Sequence, residues 1–173
     1  MTNRKIYVIS DTHFGHENVL RFKDDDGAYI RSGFSGIRDH DEHIIEKWND
    51  VVREHDIVYH LGDVYFASEG YAKSILNRLN GRKRLIVGNH DKVKSKVLYD
   101  SFQKISMWRM FPKLKVVLTH VPIFIDGKAK YTRNIHGHIH QKESPTAKHI
   151  NASCEAINYT PIDIEELLNE TSR

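Results

Sequence analysis

The sequence contains a single cysteine, Cys154, and has no apolar stretch near the roughly 20 residues that a membrane helix needs. One cysteine excludes an internal disulfide and a CxxC zinc or redox motif. The N-terminus passes from basic residues directly into a short β-branched run, without the long apolar segment and cleavage site of a secretory signal. We therefore expect a cytoplasmic protein that does not enter the membrane.

Internal repeats, linkers and low-complexity tracts are also missing from the sequence. A chain of 173 residues with a hydrophobic fraction of 39% fits one compact domain, so we predict a single domain over residues 1–173. The net charge is only +3, and the basic residues form no stripe interleaved with aromatics. This composition favours anionic ligands weakly and argues against a module that only binds nucleic acid.

Histidine, in contrast, is abundant: twelve are present, several of them in short turns that contain Gly or Asp. Helical spacing of apolar residues predicts helices over residues 39–52 and 71–79. Three apolar segments predict strands that run directly into polar turns: residues 5–9 before SDTHFGHEN, 56–61 before Gly62-Asp63, and 83–87 before Gly88-Asn89-His90-Asp91. This alternation predicts an α/β domain in which ligands bind beyond the carboxyl ends of the strands.

The second half of the chain is richer in predicted strands. Apolar segments predict strands at 115–119, 131–135, 147–151 and 155–159, and the first two run into His120 and into the segment 136–140. The sequence TPID before IEELL predicts a final helix with Thr160 as its N-cap and Pro161 at its first position. Residues 21–36 and 122–133 show no periodicity, and we interpret them as irregular excursions.

Side chains of the kinds that bind metals stand at these strand ends. In extended segments, Asp11 with His13, and His138 with His140, would each project to one side and aim two side chains at one place. A mixture of imidazole and carboxylate suits Mn, Fe, Zn, Co or Ni better than Ca or Mg, which prefer all-oxygen shells. The candidate residues are Asp11, His13, Asp63, Asn89, His90, His120, His138 and His140.

The segments DTH, GD, GNHD, TH and GHIH follow the order of five motifs of the calcineurin-like metallophosphoesterases, and the sequence resembles that family over residues 11–140. The resemblance implies two packed mixed β-sheets flanked by helices, a four-layer α/β/β/α sandwich, without a cap domain. It also implies two divalent metal ions, with manganese expected first and Fe, Zn, Ni or Co as alternatives. Asp11, His13 and His140 would hold one ion, Asn89, His120 and His138 the other, and Asp63 would bridge them.

The resemblance implies hydrolysis of a phosphate ester, because two cations about 3.5–4 Å apart can activate water and hold phosphate oxygens. His90 is the candidate that stabilises charge or protonates the departing oxygen. Many family members read GDxxD, where the last aspartate orients this histidine, but Phe66 stands there and cannot accept a hydrogen bond. We expect Asp91 or a backbone carbonyl to orient His90; otherwise leaving-group protonation contributes less.

The metal ligands do not determine the substrate. His16, Arg38 and Arg84 are candidates for contacts with phosphate, and loop-capping or solvent-facing roles are their alternatives. Because no cap is expected, the site should be open, which favours phosphodiesters or nucleotides, with nucleic acid as a further candidate. A phosphomonoesterase using the same site is the alternative.

Two rival functions fit parts of the sequence. Some family members have lost metal ligands and serve as non-catalytic interaction scaffolds, but every expected ligand is present here, and metal content would separate the two functions. An HD-type phosphohydrolase is suggested by His-Asp pairs at 40/41, 55/56 and 90/91. Such pairs lie on helices in that class, whereas the third pair here follows a predicted strand.

Overall fold

The computed structural model describes residues 4–126 and 130–170 of the chain. Within these residues two sheets are formed by β1 (Ile6–Ile9), β2 (Ile57–His60), β3 (Arg82–Ile86), β4 (Lys104–Ser106), β5 (Trp108–Phe111), β6 (Val116–Thr119), β7 (Arg133–His136), β8 (His149–Asn151) and β9 (Ile162–Asp163). The helices are α1 (Ile37–Val51), α2 (Glu69–Leu76), α3 (Lys96–Ser101) and α4 (Ile164–Glu170).

Both sheets are mixed. The first has the strand order β4-β3-β2-β1-β9, with β1 to β4 parallel and β9 antiparallel to β1. The second has the order β5-β6-β7-β8, with β5 antiparallel and the other strands parallel. Helices α1, α2 and α3 each connect two successive parallel strands, as parallel pairing requires. The carboxyl ends of the parallel strands therefore carry the loops that follow them.

Two apolar cores hold these layers together, and alternation along β1 contributes to both. Tyr7 and Ile9 pack with α1, α2 and α3, where Trp48 is fully buried. Val8 faces the other way and packs in the space between the sheets with Val116 and Leu118 of β6. α4 contributes its apolar side chains to this second core. The expectation of two mixed sheets flanked by helices is confirmed.

Most predicted elements are present, with shifted ends. The strands at 5–9, 56–61, 83–87, 115–119, 131–135 and 147–151 are found within two residues of the predicted bounds. The two predicted helices begin two residues earlier, and α2 ends at Leu76, before Asn80-Gly81. Ser68 caps α2, because its side chain accepts a hydrogen bond from the Tyr71 backbone N–H. α3, β4 and β5 lie in a segment for which no element was predicted.

The strand predicted at 155–159 is wrong. These residues form turns, and Asn158 and Tyr159 have φ of 50° and 58°, which a strand does not permit. The apolar residues there instead pack against the helical side of the first sheet, as Ile157 and Tyr159 do.

The predicted cap of the last helix is also wrong. Residues 162–163 pair with β1 as strand β9, so the chain is still extended where Thr160 was expected to start a helix. Asp163 caps α4 instead: its Oδ1 accepts from the Glu165 N–H at 3.0 Å and from the Glu166 N–H at 3.2 Å. Pairing with β1 thus overrides the local helix-start signal.

The segment at 21–36 is irregular, as expected, and of the segment at 122–133, residues 127–129 lie outside the described residues. No helix among the described residues is long and apolar enough to span a membrane. The single-domain prediction stays a prediction.

Candidate metal centre

The candidate ligands lie on the loops that leave the carboxyl ends of strands in both sheets. Asp11 and His13 follow β1, Asp63 follows β2, and Asn89 follows β3. From the second sheet, His120 directly follows β6, and His138 and His140 follow β7. Since the two sheets pack face to face, these loops meet along one edge of the sandwich.

The backbone at five of these seven residues is in the left-handed region: φ is 58° at Asp11, 48° at His13, 57° at Asp63, 71° at His138 and 52° at His140. Residues other than glycine seldom adopt this conformation, and such positions concentrate at functional sites. The expectation that the Asp11/His13 and His138/His140 pairs are extended is therefore wrong. All four residues have left-handed backbone, and the two members of the second pair face different neighbours, Asn89 and Glu155.

Glycines allow the loops to approach one another closely. A side chain at Gly88 would collide with the Asp63 carboxylate, and one at Gly137 would collide with the side chains of Ser10 and Asp11. The glycines of the GNHD and GHIH segments are thus needed because loops from different strands come into direct contact.

The first ligand cluster contains Asp11, His13 and His140, whose ligand atoms lie within 4.8 Å of one another. Asp63 adjoins this cluster, since its Oδ2 is 3.9 Å from His13 Nε2. The same Oδ2 is 3.6 Å from His120 Nε2 on the other side. Asp63 therefore occupies the position between two clusters that a bridging ligand requires.

The second cluster is built around the Asn89 side-chain oxygen. This Oδ1 is 2.7 Å from His120 Nε2 and 2.9 Å from His138 Nδ1. Together with Asp63 Oδ2, these atoms offer one carboxylate, one amide oxygen and two imidazole nitrogens. The mixture suits a transition-metal ion.

Several of the ligand atoms are buried without a partner. Asp11 Oδ1 and both ring nitrogens of His13 have no hydrogen bond among the described residues. Buried polar atoms are normally satisfied, so the unpartnered Asp11 Oδ1 and His13 Nε2, which lie 3.9 Å apart, fit a cation between them. Burial, together with the nearby Arg31 charge, lowers the pKa of His13, so the imidazole is neutral and can offer a lone pair.

Other ligands are oriented by hydrogen bonds to their far ring nitrogens. His120 Nδ1 lies 2.8 Å from the Leu61 carbonyl, and His140 Nδ1 lies 2.9 Å from Glu155 Oε1. Such partners fix the tautomer and leave Nε2 free for a metal. Ser153 Oγ and the His138 N–H donate to Asp11 Oδ2, which leaves Oδ1 for the cation. The residues present therefore fit a pair of metal ions.

Residues 4–170 match the family described as calcineurin-like phosphoesterase. The chain belongs to this family. It is 36% identical over 179 residues to the uncharacterized protein MJ1445 of Methanocaldococcus jannaschii, covering 95% of this chain and 90% of that protein. It is also 37% identical over 93 residues to the gene 66 protein of Mycobacterium phage D29, covering 50% of this chain and 40% of the phage protein.

A solved structure resembles this chain along nearly its whole length. The protein of unknown function AQ665 from Aquifex aeolicus superposes with a TM-score of 0.77 at 30% identity, covering 97% of this chain and 100% of that chain. The family resemblance found in the five motifs is confirmed. The HD-type hypothesis is wrong, since the pair at 90/91 follows β3 and the His40-Asp41 pair is buried away from solvent.

A buried network behind the candidate ligands was not predicted from the sequence. Arg31, which is 1% exposed, donates from Nε to Glu155 Oε1 at 2.8 Å and from its terminal nitrogens to the backbone oxygens of Asp11 and Thr12. Burial raises the pKa of Glu155, but the Arg31 charge and the His140 hydrogen bond outweigh it and lower the pKa to about 2. Glu155 is therefore an anion that holds His140.

His90 lies at the mouth of the site. Its side chain is exposed, its backbone N–H donates to Asp63 Oδ1 at 2.9 Å, and its ring lies 5.0 Å from that of Phe66. Asp91 does not hold this ring: its carboxylate accepts from the backbone N–H groups of Asp63, Val64 and Gly88. Among the described residues no carbonyl binds the ring either, so neither expected partner orients His90.

The three candidates for phosphate contacts have different surroundings. His16 stacks on Phe66 with ring centroids 4.4 Å apart and lies 5.6 Å from the ring of His13, beside the first cluster. Arg38 is exposed on α1. Arg84 donates to the Tyr59 hydroxyl at 2.7 Å and lies over its ring, so it is held by the sheet. Only His16 is brought next to the metal ligands, and the substrate roles of all three stay predictions.

Proposed function

We propose that this protein is a binuclear metal-dependent phosphoesterase that hydrolyses phosphodiesters or nucleotides, with manganese as the first expected metal. The observation that carries the proposal is the pair of ligand clusters joined at Asp63 Oδ2, with unpartnered buried atoms facing them. When bound, two cations would activate water and neutralise phosphate charge.

The protein's own groups supply positioning and proton transfer. Asp11, His13 and His140 would hold one metal, Asn89, His120 and His138 would hold the other, and the Asp63 carboxylate would bridge them; Asp11 also lies close to Asp63 and His120. His90 is exposed at the surface and can turn toward the departing oxygen, because its ring packs against Phe66 and His13 and no hydrogen bond among the described residues holds it. Its task is to donate a proton to that oxygen or to stabilise its charge.

The exposure of the second cluster supports an extended substrate. Asn89, His90 and His138 are all exposed to solvent, so both ester oxygens of a diester can carry large groups. Nucleic acid remains a further candidate substrate on the same reasoning.

Metal analysis and one pair of substrates test this function. We expect about two transition-metal ions per chain by elemental analysis, loss of activity on chelation, and recovery on adding Mn²⁺. We also expect methyl p-nitrophenyl phosphate to turn over faster than p-nitrophenyl phosphate, which shares its leaving group. Metal-free protein that hydrolyses the diester at full rate would refute the proposal. A strict preference for the monoester would show that the protein is a phosphomonoesterase using the same site.

His90→Asn should keep both metals but lower kcat about 10²-fold or more on an alkyl diester. If His90 donates a proton, the loss should shrink for the p-nitrophenyl leaving group, which needs little help. An equal loss across leaving groups would instead indicate charge stabilisation. His55→Ala is the matched control, because His55 is exposed in a loop outside the site. A His90→Asn protein with unchanged kcat on every ester would exclude His90 from the reaction.

A further inference from the structure

An apolar groove of about 480 Å³ starts at the second ligand cluster and runs along strands β5 and β6. Its volume is within the range of pockets that take small molecules. Asn89 and His120 line the end nearest the metal position. The remainder is lined chiefly by Met107, Trp108, Met110, Val121, Ile123 and Tyr131.

The groove lies on the side of the second sheet that faces away from the first. Val116 and Leu118 of β6 point into the core between the sheets, whereas Val117 and Thr119 alternate with them and line the groove. Trp108 pairs across the strands with Thr119, and Met110 pairs with Val117. These four neighbours form the floor of the groove.

The chemistry of this lining is apolar and aromatic. None of its described residues is charged, and the Thr119 hydroxyl is already engaged, donating to the Val121 carbonyl at 2.6 Å. Met107 is 67% exposed and Trp108 is 56% exposed, so large apolar surface faces solvent. Methionine and tryptophan side chains adapt to, and stack on, flat rings.

The groove and His90 lie on different sides of the ligands. The groove reaches Asn89 and His120, whereas the ring of His90 lies against Phe66 and His13. If the leaving oxygen departs toward His90, the group that enters the groove is the one that stays on the phosphorus. Its contacts therefore do not change when the ester bond breaks.

We propose that this groove binds the flat face of a ring, either an aryl group or a nucleobase, on the non-leaving side of the phosphodiester. The inference rests on the proposed function and narrows its substrate class. Because the lining offers few free hydrogen-bonding groups, recognition depends on stacking and burial, so different bases should be accepted with little discrimination.

The test compares phenyl p-nitrophenyl phosphate with methyl p-nitrophenyl phosphate, which share a leaving group. Burying most of a ring should raise kcat/KM for the phenyl ester about tenfold or more. Trp108→Ala and Met107→Ala should reduce this ratio to within about threefold, since each removes wall area. Tyr99→Ala is the matched control: Tyr99 is 62% exposed on α3, away from the groove, and the ratio should not change.

A binding measurement keeps the groove proposal separate from the proposed function. Of the two tryptophans, Trp48 is fully buried and Trp108 is exposed, so a p-nitrophenylphosphonate in the groove should quench Trp108, and Trp108→Phe should remove that signal. Phenylphosphonate should bind the metal-loaded protein about tenfold more tightly than methylphosphonate. The binding comparison tests the groove proposal even if neither ester is hydrolysed. Missing hydrolysis would refute only the proposed function.

Two results would overturn the proposal while leaving the esterase intact. One is equal kcat/KM for the two diesters together with equal binding of the two phosphonates. The other is a dimer, detected by light scattering, that Trp108→Ala dissociates without altering the substrate ratio. In that case the groove is a contact between copies of this chain.

Discussion

Asp63→Asn should bind both metals more weakly and should lose nearly all activity. Asp63 Oδ2 lies 3.9 Å from His13 Nε2 and 3.6 Å from His120 Nε2, so one carboxylate serves both ligand clusters. The amide keeps the size and shape but removes the charge, and it replaces one acceptor with an NH₂ group that cannot bind a cation. Metal content and kcat should therefore fall together, with kcat reduced by about 10²-fold or more, since loss of a residue that only supports a ligand already costs about 10- to 100-fold.

The comparison with His140→Ala makes this result specific. His140 belongs to the first cluster alone, so its removal should weaken mainly one of the two metals. Asp100→Asn is the control for a lost surface charge, because Asp100 lies on α3 and forms an exposed ion pair with Lys96. Excess Mn²⁺ should restore Asp63→Asn only partly. Two tightly bound metals and near-normal turnover in that variant would show that Asp63 does not bridge.

Arg31→Met should destabilise the metal-free protein by about 3–5 kcal/mol, the usual cost of breaking a buried ion pair. The substitution leaves the Glu155 carboxylate buried, and it removes the donors to the Asp11 and Thr12 backbone oxygens. Methionine fills much of the same volume, so the loss is electrostatic rather than a cavity. Denaturant unfolding in the presence of a chelator measures it without a contribution from bound metal.

Two further variants define what the Arg31 effect means. Arg78→Met is the matched control, since Arg78 pairs with Glu42 while both side chains are about half exposed, and it should cost less than about 1 kcal/mol. Arg31→Met combined with Glu155→Met removes both charges and should recover part of the loss. A cost below about 1 kcal/mol for Arg31→Met alone would show that water reaches the pair.

The residues that the structure brings together at the candidate site were predictable because each adjoins a strand whose apolar pattern is clear. The segments before Asp11, Asp63, Asn89 and His120 read as buried strands, and parallel strands place their carboxyl ends together. Which elements carry the ligands was therefore predictable. The backbone conformation at these residues was not predictable. The left-handed conformation at Asp11 and His138 depends on contacts between loops that are distant in sequence.

The supporting residues were not predictable for a different reason. Arg31 lies in a segment rich in acids and glycines, where an arginine normally faces solvent, and Glu155 is 124 residues away from its partner. The strand predicted at 155–159 failed for the same reason: the apolar residues of this turn pack against residues that are distant in sequence. A single sequence records no such pairing; only the fold brings these side chains together.

Each ligand cluster draws its members from both sheets: Asp11 and His13 of the first sheet face His140 of the second, and Asn89 of the first faces His120 and His138 of the second. A bound cation would thus cross-link the two halves of the sandwich. By mass action, each ion at about 100 times its dissociation constant would add about 2.7 kcal/mol to the free energy of unfolding. A cell short of the metal would then lose folded protein as well as catalysis, so metal supply would set the lifetime of the protein together with its rate.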